Sequence, residues 1–261
     1  MNRTIYGRPM DEASIDVIQH YVASDKLPVI VAFSGGKDSV VTLDLVRRSG
    51  VEHRVVYNLT TGDPPELVQF IRRHYPDAEW SHPKKSYWRL IEEKGLPSMT
   101  GKPGRFCCTA LKEQKNPPGH LIITGIRYAE SHNRRSRAPH EEGKHVKNQR
   151  LLHPIYNWLD GDVWTYIRER GLPYCSVYDE GWHRLGCVIC CYNTRIRQSI
   201  ARWPKLAAAA QRALARKWAS GRTNAEQLAI FPKWQDYWEW WLRRTEKGEP
   251  YPEAQCDGLF A

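Results

Sequence analysis

Pro28-Val29-Ile30-Val31-Ala32-Phe33-Ser34-Gly35-Gly36-Lys37-Asp38-Ser39 carries the strongest structural signal in the chain. The first six residues form a short, β-branched apolar run bounded by turn chemistry, which predicts a buried strand. Val40 to Arg48 then reads as a helix closing at Ser49-Gly50. Working outward, Arg54-Val55-Val56-Tyr57-Asn58 predicts a second strand, ending in the turn Thr60-Thr61-Gly62-Asp63-Pro64-Pro65. Glu66 to His74 predicts a helix with Leu67, Phe70 and Ile71 on one face and Pro76 beyond its end. A third strand is His120 to Thr124, stopped by Gly125. Strands alternating with helices imply right-handed crossovers, hence an α/β fold with a mostly parallel, doubly wound sheet covered on both faces. Ligands on such sheets sit beyond the carboxyl ends of the strands, where the 34–39 and 60–66 loops fall.

Strand, glycine-rich turn and helix in that order suit phosphate. Gly35 and Gly36 let the backbone approach an anion, and the helix N-terminus adds a favourable dipole. Lys37 brings a full positive charge, Ser34 and Ser39 bring hydroxyl donors, and Asp38 brings a carboxylate suited to Mg2+. The Gly-x-x-x-x-Gly-Lys spacing of a Walker loop is missing.

The chain has 261 residues, 41% of them hydrophobic and 26% charged, with 11 Trp and 13 Tyr. That composition excludes a disordered or low-complexity chain and allows a sizeable core. No apolar run approaches the roughly 18–20 residues of a membrane span. Residues 1–15 lack an apolar signal core, so the expectation is a cytoplasmic protein without membrane association. In that compartment seven Cys point to metal or redox chemistry rather than a disulfide scaffold. The net charge of +10 is concentrated: residues 101–150 sum to +7 and residues 192–222 to +8, with no acidic residue in the latter. Two basic blocks suit contact with a polyanion, either nucleotide phosphate or nucleic acid, while the plainer reading is two solvated faces.

Five cysteines fall in two groups, Cys107-Cys108 and Cys187-Val188-Ile189-Cys190-Cys191. Cys107, Cys108, Cys187 and Cys190 can supply four thiolates to one centre. Adjacent cysteines suit an iron–sulfur cube, which spreads its ligands over several irons, better than a single zinc ion. Zinc and a redox dithiol remain alternatives. Cys175 reads as a small buried side chain, and Cys191 is open.

The loop Ser34–Ser39 resembles the pyrophosphate loop (PP-loop) of adenine nucleotide alpha-hydrolase-like ATP pyrophosphatases. The cysteine pattern resembles the iron–sulfur members of the phosphoadenosine phosphosulfate (PAPS) reductase family. Thr61-Gly62-Asp63-Pro64-Pro65-Glu66 and Gly125-Ile126-Arg127-Tyr128-Ala129-Glu130-Ser131 are similar to further segments of that family. So is the run from His153-Pro154 through Asp162-Val163-Trp164 and Tyr178-Asp179 to Gly186-Cys187. The resemblance spans roughly residues 25–195 and implies ATP, Mg2+ and a 4Fe-4S cluster as cofactors. It places Thr61, Gly62, Gly125 and Arg127 beside Ser34–Ser39 as nucleotide-binding residues. Arg127 also suits oxyanions through its planar fork, and Arg134, Arg135 and Arg137 form a nearby basic cluster.

Two branches of the family make different demands. The intact Gly-Gly-Lys-Asp core resembles ATP-cleaving members such as the thiolating enzymes of transfer RNA and of DNA phosphorothioation. These imply an adenylating sulfurtransferase, with a nucleic acid acceptor and a cysteine desulfurase as partners. The alternative is a sulfonucleotide reductase acting on PAPS or adenosine phosphosulfate. It would use Cys256 in the C-terminal tail as nucleophile, release sulfite and draw on a thioredoxin-like partner. Cys256-Asp257-Gly258-Leu259-Phe260 departs from the reductase tail Cys-Gly-Leu-His by the inserted Asp257 and by Phe260. The expected catalytic set is Lys37, Asp38, Arg127 and Cys256. The expected domains are 1–191, nucleotide-binding with the cysteines, and 192–261, a basic and Trp-rich helical extension. In that extension Trp234, Trp238 and Trp241 share one helix face, read as packing rather than base stacking. The sequence leaves the oligomeric state open.

Overall fold

The computed structural model describes the chain except residues 1, 4–6, 24–26, 100–102, 114–115, 144–145, 249, 251 and 253–261. It divides into two compact units: residues 1–59, 65–83 and 109–185, and residues 60–64, 84–108 and 186–261. The expected tail nucleophile Cys256 lies outside the described residues.

The first unit is built on a six-stranded sheet. Its strands are β1 (Val29–Phe33), β2 (His53–Asn58), β3 (Glu79–Ser81), β4 (Leu121–Ile123), β5 (His140–Glu142) and β6 (Arg150–Leu152). Their order is β3-β2-β1-β4-β6-β5, with every pair parallel except β5 against β6. β1 is central, and Val29, Ile30, Val31 and Phe33 are buried, as a parallel strand covered on both faces requires. β5, His140-Glu141-Glu142, is a polar edge strand. β3, β5 and β6 have three residues each, too few to leave a period-two signature in the sequence.

The helices of this unit include α1 (Met10–Val22), α2 (Lys37–Ser49) and α3 (Pro65–His74). α2 starts at Lys37, one turn earlier than the apolar run suggests, because Gly36 serves as N-cap; it ends at Gly50 in the left-handed region. The chain steps from β1 to β2 to β3 on one side and returns to β4 on the other. The topological switch point therefore lies between β1 and β4.

The second unit is helical. It contains α4 (Tyr87–Lys94), whose N-cap Ser86 accepts the Arg89 N–H, and the helices after residue 186. Between them in sequence lie α5 (Phe106–Leu111), α6 (His132–Arg135) and α7 (Asp160–Arg170). The Ala/Arg-rich stretch forms two helices rather than one, α8 (Ile196–Arg202) and α9 (Pro204–Ala219). Pro204 has no N–H to continue α8 and instead takes the first turn of α9. α10 (Ala225–Ile230) and α11 (Trp234–Lys247) follow. Trp238, Trp240 and Trp241 of α11 are buried, and Trp241 donates from Nε1 to the Pro97 carbonyl at 2.7 Å. Trp238 and Trp241 of the expected stripe are thus a packing face. Glu92 gathers Arg89, Arg216 and Arg222 at 2.8, 2.9 and 3.3 Å. Among the described residues no helix is long and apolar enough to cross a membrane.

Candidate functional site

The glycine-rich loop leaves β1 at the switch point. Gly35 has φ +72°, and a Cβ there would lie 2.7 Å from Ile71 Cγ1 and 2.8 Å from Leu67 Cδ1, both in α3. The loop thus needs glycine for both its backbone conformation and its close approach to α3. Ser39 ties the turn together: its hydroxyl donates to the Gly36 carbonyl at 2.8 Å and accepts the Ser34 N–H at 3.2 Å. The Lys37 N–H, one of the open donors at the start of α2, donates to the Tyr178 hydroxyl at 3.0 Å. Burial holds that phenol well above its ordinary pKa, so it stays a neutral partner.

Two buried cations and two carboxylates meet here. Lys37 is 5% exposed, and its Nζ lies 3.0 Å from Asp160 Oδ1, 3.4 Å from Asp38 Oδ2 and 3.2 Å from the His183 carbonyl. Arg127, 3% exposed, donates from Nε to Asp38 at 2.5 Å, from one terminal nitrogen to Asp160 at 2.9 Å and from the other to the Trp158 carbonyl. Asp160 stands at the start of α7 and is 56% exposed. It is a solvent-facing counterion to two inward cations, and the carboxylate of the set that water or a competing anion reaches most easily. Gly125, which follows β4, is pressed against the first turn of α2; a Cβ there would lie 2.8 Å from the Asp38 carbonyl.

Beyond Arg127 lies a second basic group. Arg134 pairs with Glu130 and Arg137 with Glu141. Burial, reinforced by Arg184, pushes Arg134 down to about 10. His153, just past β6, is fully buried; its Nδ1 lies 2.7 Å from Thr124 Oγ1 and its Nε2 3.4 Å from Glu141. Burial first, then Arg137, depress its pKa to about 4, so the imidazole is neutral at pH 7.

The five grouped cysteines belong to the other unit, and four of them lie near Tyr87. Cys107, Cys187, Cys190 and Cys191 all act electrostatically on this fully buried phenol. Cys107 hydrogen-bonds to Cys108, and Cys190 to Cys191. Those contacts, with burial and neighbouring thiols, raise the pKa of Cys107 and Cys191 well above the ordinary thiol range. The Cys187–Cys190 spacer is clamped from two sides. The Val188 N–H donates to the Gly62 carbonyl at 2.8 Å, and the Tyr87 hydroxyl donates to the Ile189 carbonyl. Cys187 Sγ lies 3.3 Å from Thr60 Oγ1 and 3.7 Å from Asp63 Oδ1. Among the described residues no three His, Cys, Asp or Glu side chains already stand in coordinating geometry. The donor set is nonetheless soft, thiol-rich and gathered around one side chain. In number and softness it fits a thiolate-bound iron–sulfur cluster. For Mg2+, the hard oxygens of Asp38 and Asp160 are the matching donors.

The loop residues Ser34–Ser39, Gly125 and Arg127 come together in one unit. Thr61 and Gly62, expected beside the nucleotide, lie in the other unit. There Thr61 Oγ1 accepts the Tyr87 N–H at 2.9 Å, and a Cβ on Gly62 would lie 2.6 Å from Tyr87 Cδ1. Sequence reading missed Asp160, Tyr178 and Tyr87. Asp160 is an ordinary acidic residue at a helix start, Tyr178 reads only as part of a family-like segment and not as a site residue, and Tyr87 shows no motif of its own.

Residues 28–193 match the phosphoadenosine phosphosulfate reductase domain family. An uncharacterized protein of Methanocaldococcus jannaschii is 31% identical over 190 residues, 68% of this chain. The chain spans 39% of that relative's length. The adenosine 5'-phosphosulfate reductase of Allochromatium vinosum is 24% identical over 210 residues, covering 75% of this chain and 81% of that enzyme. Among solved structures, the phosphoadenylyl-sulfate reductase of Candida auris, in a phosphate complex, superposes with a TM-score of 0.50. That match has 16% identity over 72% of this chain and 97% of that one, a likeness of fold. The order β3-β2-β1-β4-β6-β5, the glycine-rich turn after β1 and a family match over well over half of the chain agree. The chain belongs to the phosphoadenosine phosphosulfate reductase domain family.

Proposed function

We propose that the protein is an ATP pyrophosphatase-type sulfurtransferase that adenylates an acceptor and then introduces sulfur. One observation carries this reading: the intact Ser34–Ser39 loop sets Lys37 at the start of α2, within one carboxylate of Arg127. A site that only holds a sulfonucleotide has no β–γ pyrophosphate to neutralise, whereas one that splits ATP must stabilise a strongly anionic leaving group.

An acceptor oxygen attacks the α-phosphorus of ATP, the bond to the bridging oxygen breaks, and pyrophosphate leaves with that electron pair. A sulfur nucleophile then attacks the activated centre, and AMP departs with the acceptor's oxygen. Lys37 and Arg127 hold the negative charge on the phosphates, and the Gly35 and Gly36 backbone lets them approach. Asp160, the exposed counterion, gives way to the incoming anion. Asp38 keeps Arg127 oriented and, with Asp160, supplies oxygens for Mg2+, which would offset charge on the triphosphate. Cys107, Cys108, Cys187 and Cys190 would hold the 4Fe-4S cluster. With all four as ligands no iron is open to carry sulfur and the cluster would supply redox or structural capacity, whereas three ligands would leave one iron open for sulfur. The basic stretch 192–222 fits an anionic acceptor, with nucleic acid as the matching class. A cysteine desulfurase is the expected sulfur source and the cytoplasm the expected compartment.

The named reductase among the relatives favours a second reading: reduction of adenosine phosphosulfate with Cys256 as nucleophile and a thioredoxin-like reductant. Anaerobic protein separates the two. The first reading expects ATP-dependent pyrophosphate release, stimulated by nucleic acid and lost in Lys37→Ala. The second expects sulfite release from adenosine phosphosulfate, lost in Cys256→Ser. Absence of pyrophosphate release from ATP by the unmodified protein would sink the first.

A further inference from the structure

Asn58 closes β2, and its side-chain carbonyl oxygen is buried with no hydrogen-bond partner among the described residues. Such an acceptor costs roughly 1–3 kcal/mol where nothing satisfies it, so its position in the fold matters. β1 and β2 pair in parallel with Phe33 opposite Tyr57, and continuing that register one residue past the end of β1 sets Ser34 level with Asn58. Residues level with each other in a parallel pair point to the same face. Asn58 and the first residue of the phosphate loop therefore share a sheet face and a height, one strand apart, at the carboxyl ends where ligands bind. On β3, the residue level with Asn58 is Ser81. Two residues back along that face, Val56 lines a cleft with Ile30, Trp80, Ser81, Asn116 and Pro117. Asn58 as a whole is part-exposed, and the terminal torsion of an asparagine is broad and roughly two-fold, so the oxygen can swing to the open edge.

We propose that Asn58 is a specificity-determining residue that accepts a hydrogen bond from the nucleoside part of the bound nucleotide. The proposal rests on the nucleotide-binding reading of the Ser34–Ser39 loop and adds to it. The loop glycines and Lys37 engage phosphate, which every nucleotide carries. Reading the rest of the molecule requires a neutral polar group one strand away, and Asn58 is that group on β2. A buried acceptor selects for a donor: the exocyclic amine of adenine or a ribose hydroxyl. A ligand lacking the donor leaves the oxygen unpaired and binds more weakly.

The test measures equilibrium binding of ATP, inosine triphosphate, 2'-deoxy-ATP and 3'-deoxy-ATP to the full chain, unmodified and as Asn58→Leu and Asn58→Asp. Inosine triphosphate replaces the amine with a carbonyl, and the deoxy compounds each lack one hydroxyl, so the arms separate base from sugar. Asn58→Leu is expected to bind ATP about tenfold more weakly. It should bind the one analogue lacking the read donor no worse than the unmodified protein does. Asn58→Asp keeps an acceptor and is expected to keep the same rank order of ligands. Unchanged ATP affinity in Asn58→Leu overturns the proposal, and so does an equal loss on all four ligands, which marks a structural role. If the unmodified protein binds none of them, and no adenosine phosphosulfate either, the nucleotide reading falls and this proposal with it.

Discussion

The phosphate loop and the cysteine nest handle charge in opposite ways. At the loop, opposite charges are paired: Lys37 and Arg127 are balanced by Asp38 and by the exposed Asp160. On the proposed reading, an incoming phosphate has only to replace a carboxylate. At the nest, charge is suppressed. Cys107 and Cys191 are held as thiols by burial and by their neighbours, so they become anionic only when something takes their protons, as a metal does. The first site is ready for exchange of a soluble anion, and the second suits a resident group.

Four experiments press on that contrast. The largest effect is expected at Lys37. Lys37→Ala removes the buried cation that the proposed reading sets against the phosphates and should lower ATP-dependent pyrophosphate release by about 10²–10³, with circular dichroism unchanged. Retained turnover would mean that the fixed charges are structural only.

Next comes Gly35→Ala, which forces a Cβ onto Ile71 and keeps a positive φ, an expected loss of about 2–4 kcal/mol in denaturant unfolding. Gly50→Ala is the control. Its φ is also positive, +73°, but no atom lies within 4 Å of the added Cβ, so only about 1–2 kcal/mol should be lost. Equal losses would show that α3 yields and that the loop is less tightly braced than the distances imply.

On the nest side, Tyr87→Phe keeps the ring but leaves the Ile189 carbonyl without its donor. It is expected to cost about 1–3 kcal/mol and to speed iron release to a chelator from anaerobically loaded protein. Iron release at the unmodified rate would show that the Cys187–Cys190 spacer needs no second clamp.

The smallest effect is a pH slope. His153 binds a proton less readily folded, at about 4, than unfolded, near 6.5. Its stabilising contribution is complete above the unfolded value and is lost as pH falls through that window toward 4. The slope from this one group is at most about 1.4 kcal/mol per pH unit. Glu141, whose pKa is lowered, adds the same sign at the acid end. His153→Gln should flatten the decline between pH 6.5 and 4; an unchanged slope would assign it to other groups.

Legibility in the sequence followed the length of the local signal. The five apolar residues of β1, the glycine pair and the α2 periodicity are contiguous, so strand, loop and helix could be read together. β3, β5 and β6 could not: they are as short as β4 but lack the unbroken apolar run of Leu121–Ile123 that marked it. Arg127 was legible as a candidate residue through its motif, and its pairing with Asp38 and Asp160 came only with the fold. Asp160 was not, because its role depends on where α7 begins relative to α2, which no local pattern encodes. The cysteines were visible by spacing. Tyr87, the Gly62 carbonyl and Thr60 around them come from separate segments and make contact only after folding.

By itself, the sequence determined the α/β class, the phosphate loop, the five-cysteine inventory and the family. Each rests on residues close together in the chain, where covalent spacing already limits the geometry. Only the tertiary structure decided three further points. Lys37 and Arg127 share Asp160. Thr61 and Gly62 contact Tyr87 and Val188 in the unit that holds Cys187 and Cys190. Asn58 ends β2 with a buried acceptor unpaired among the described residues. The reason is physical: charge pairing, close packing and hydrogen-bond satisfaction depend on distances through space, and residues 26 to 127 positions apart acquire those only when the chain is folded.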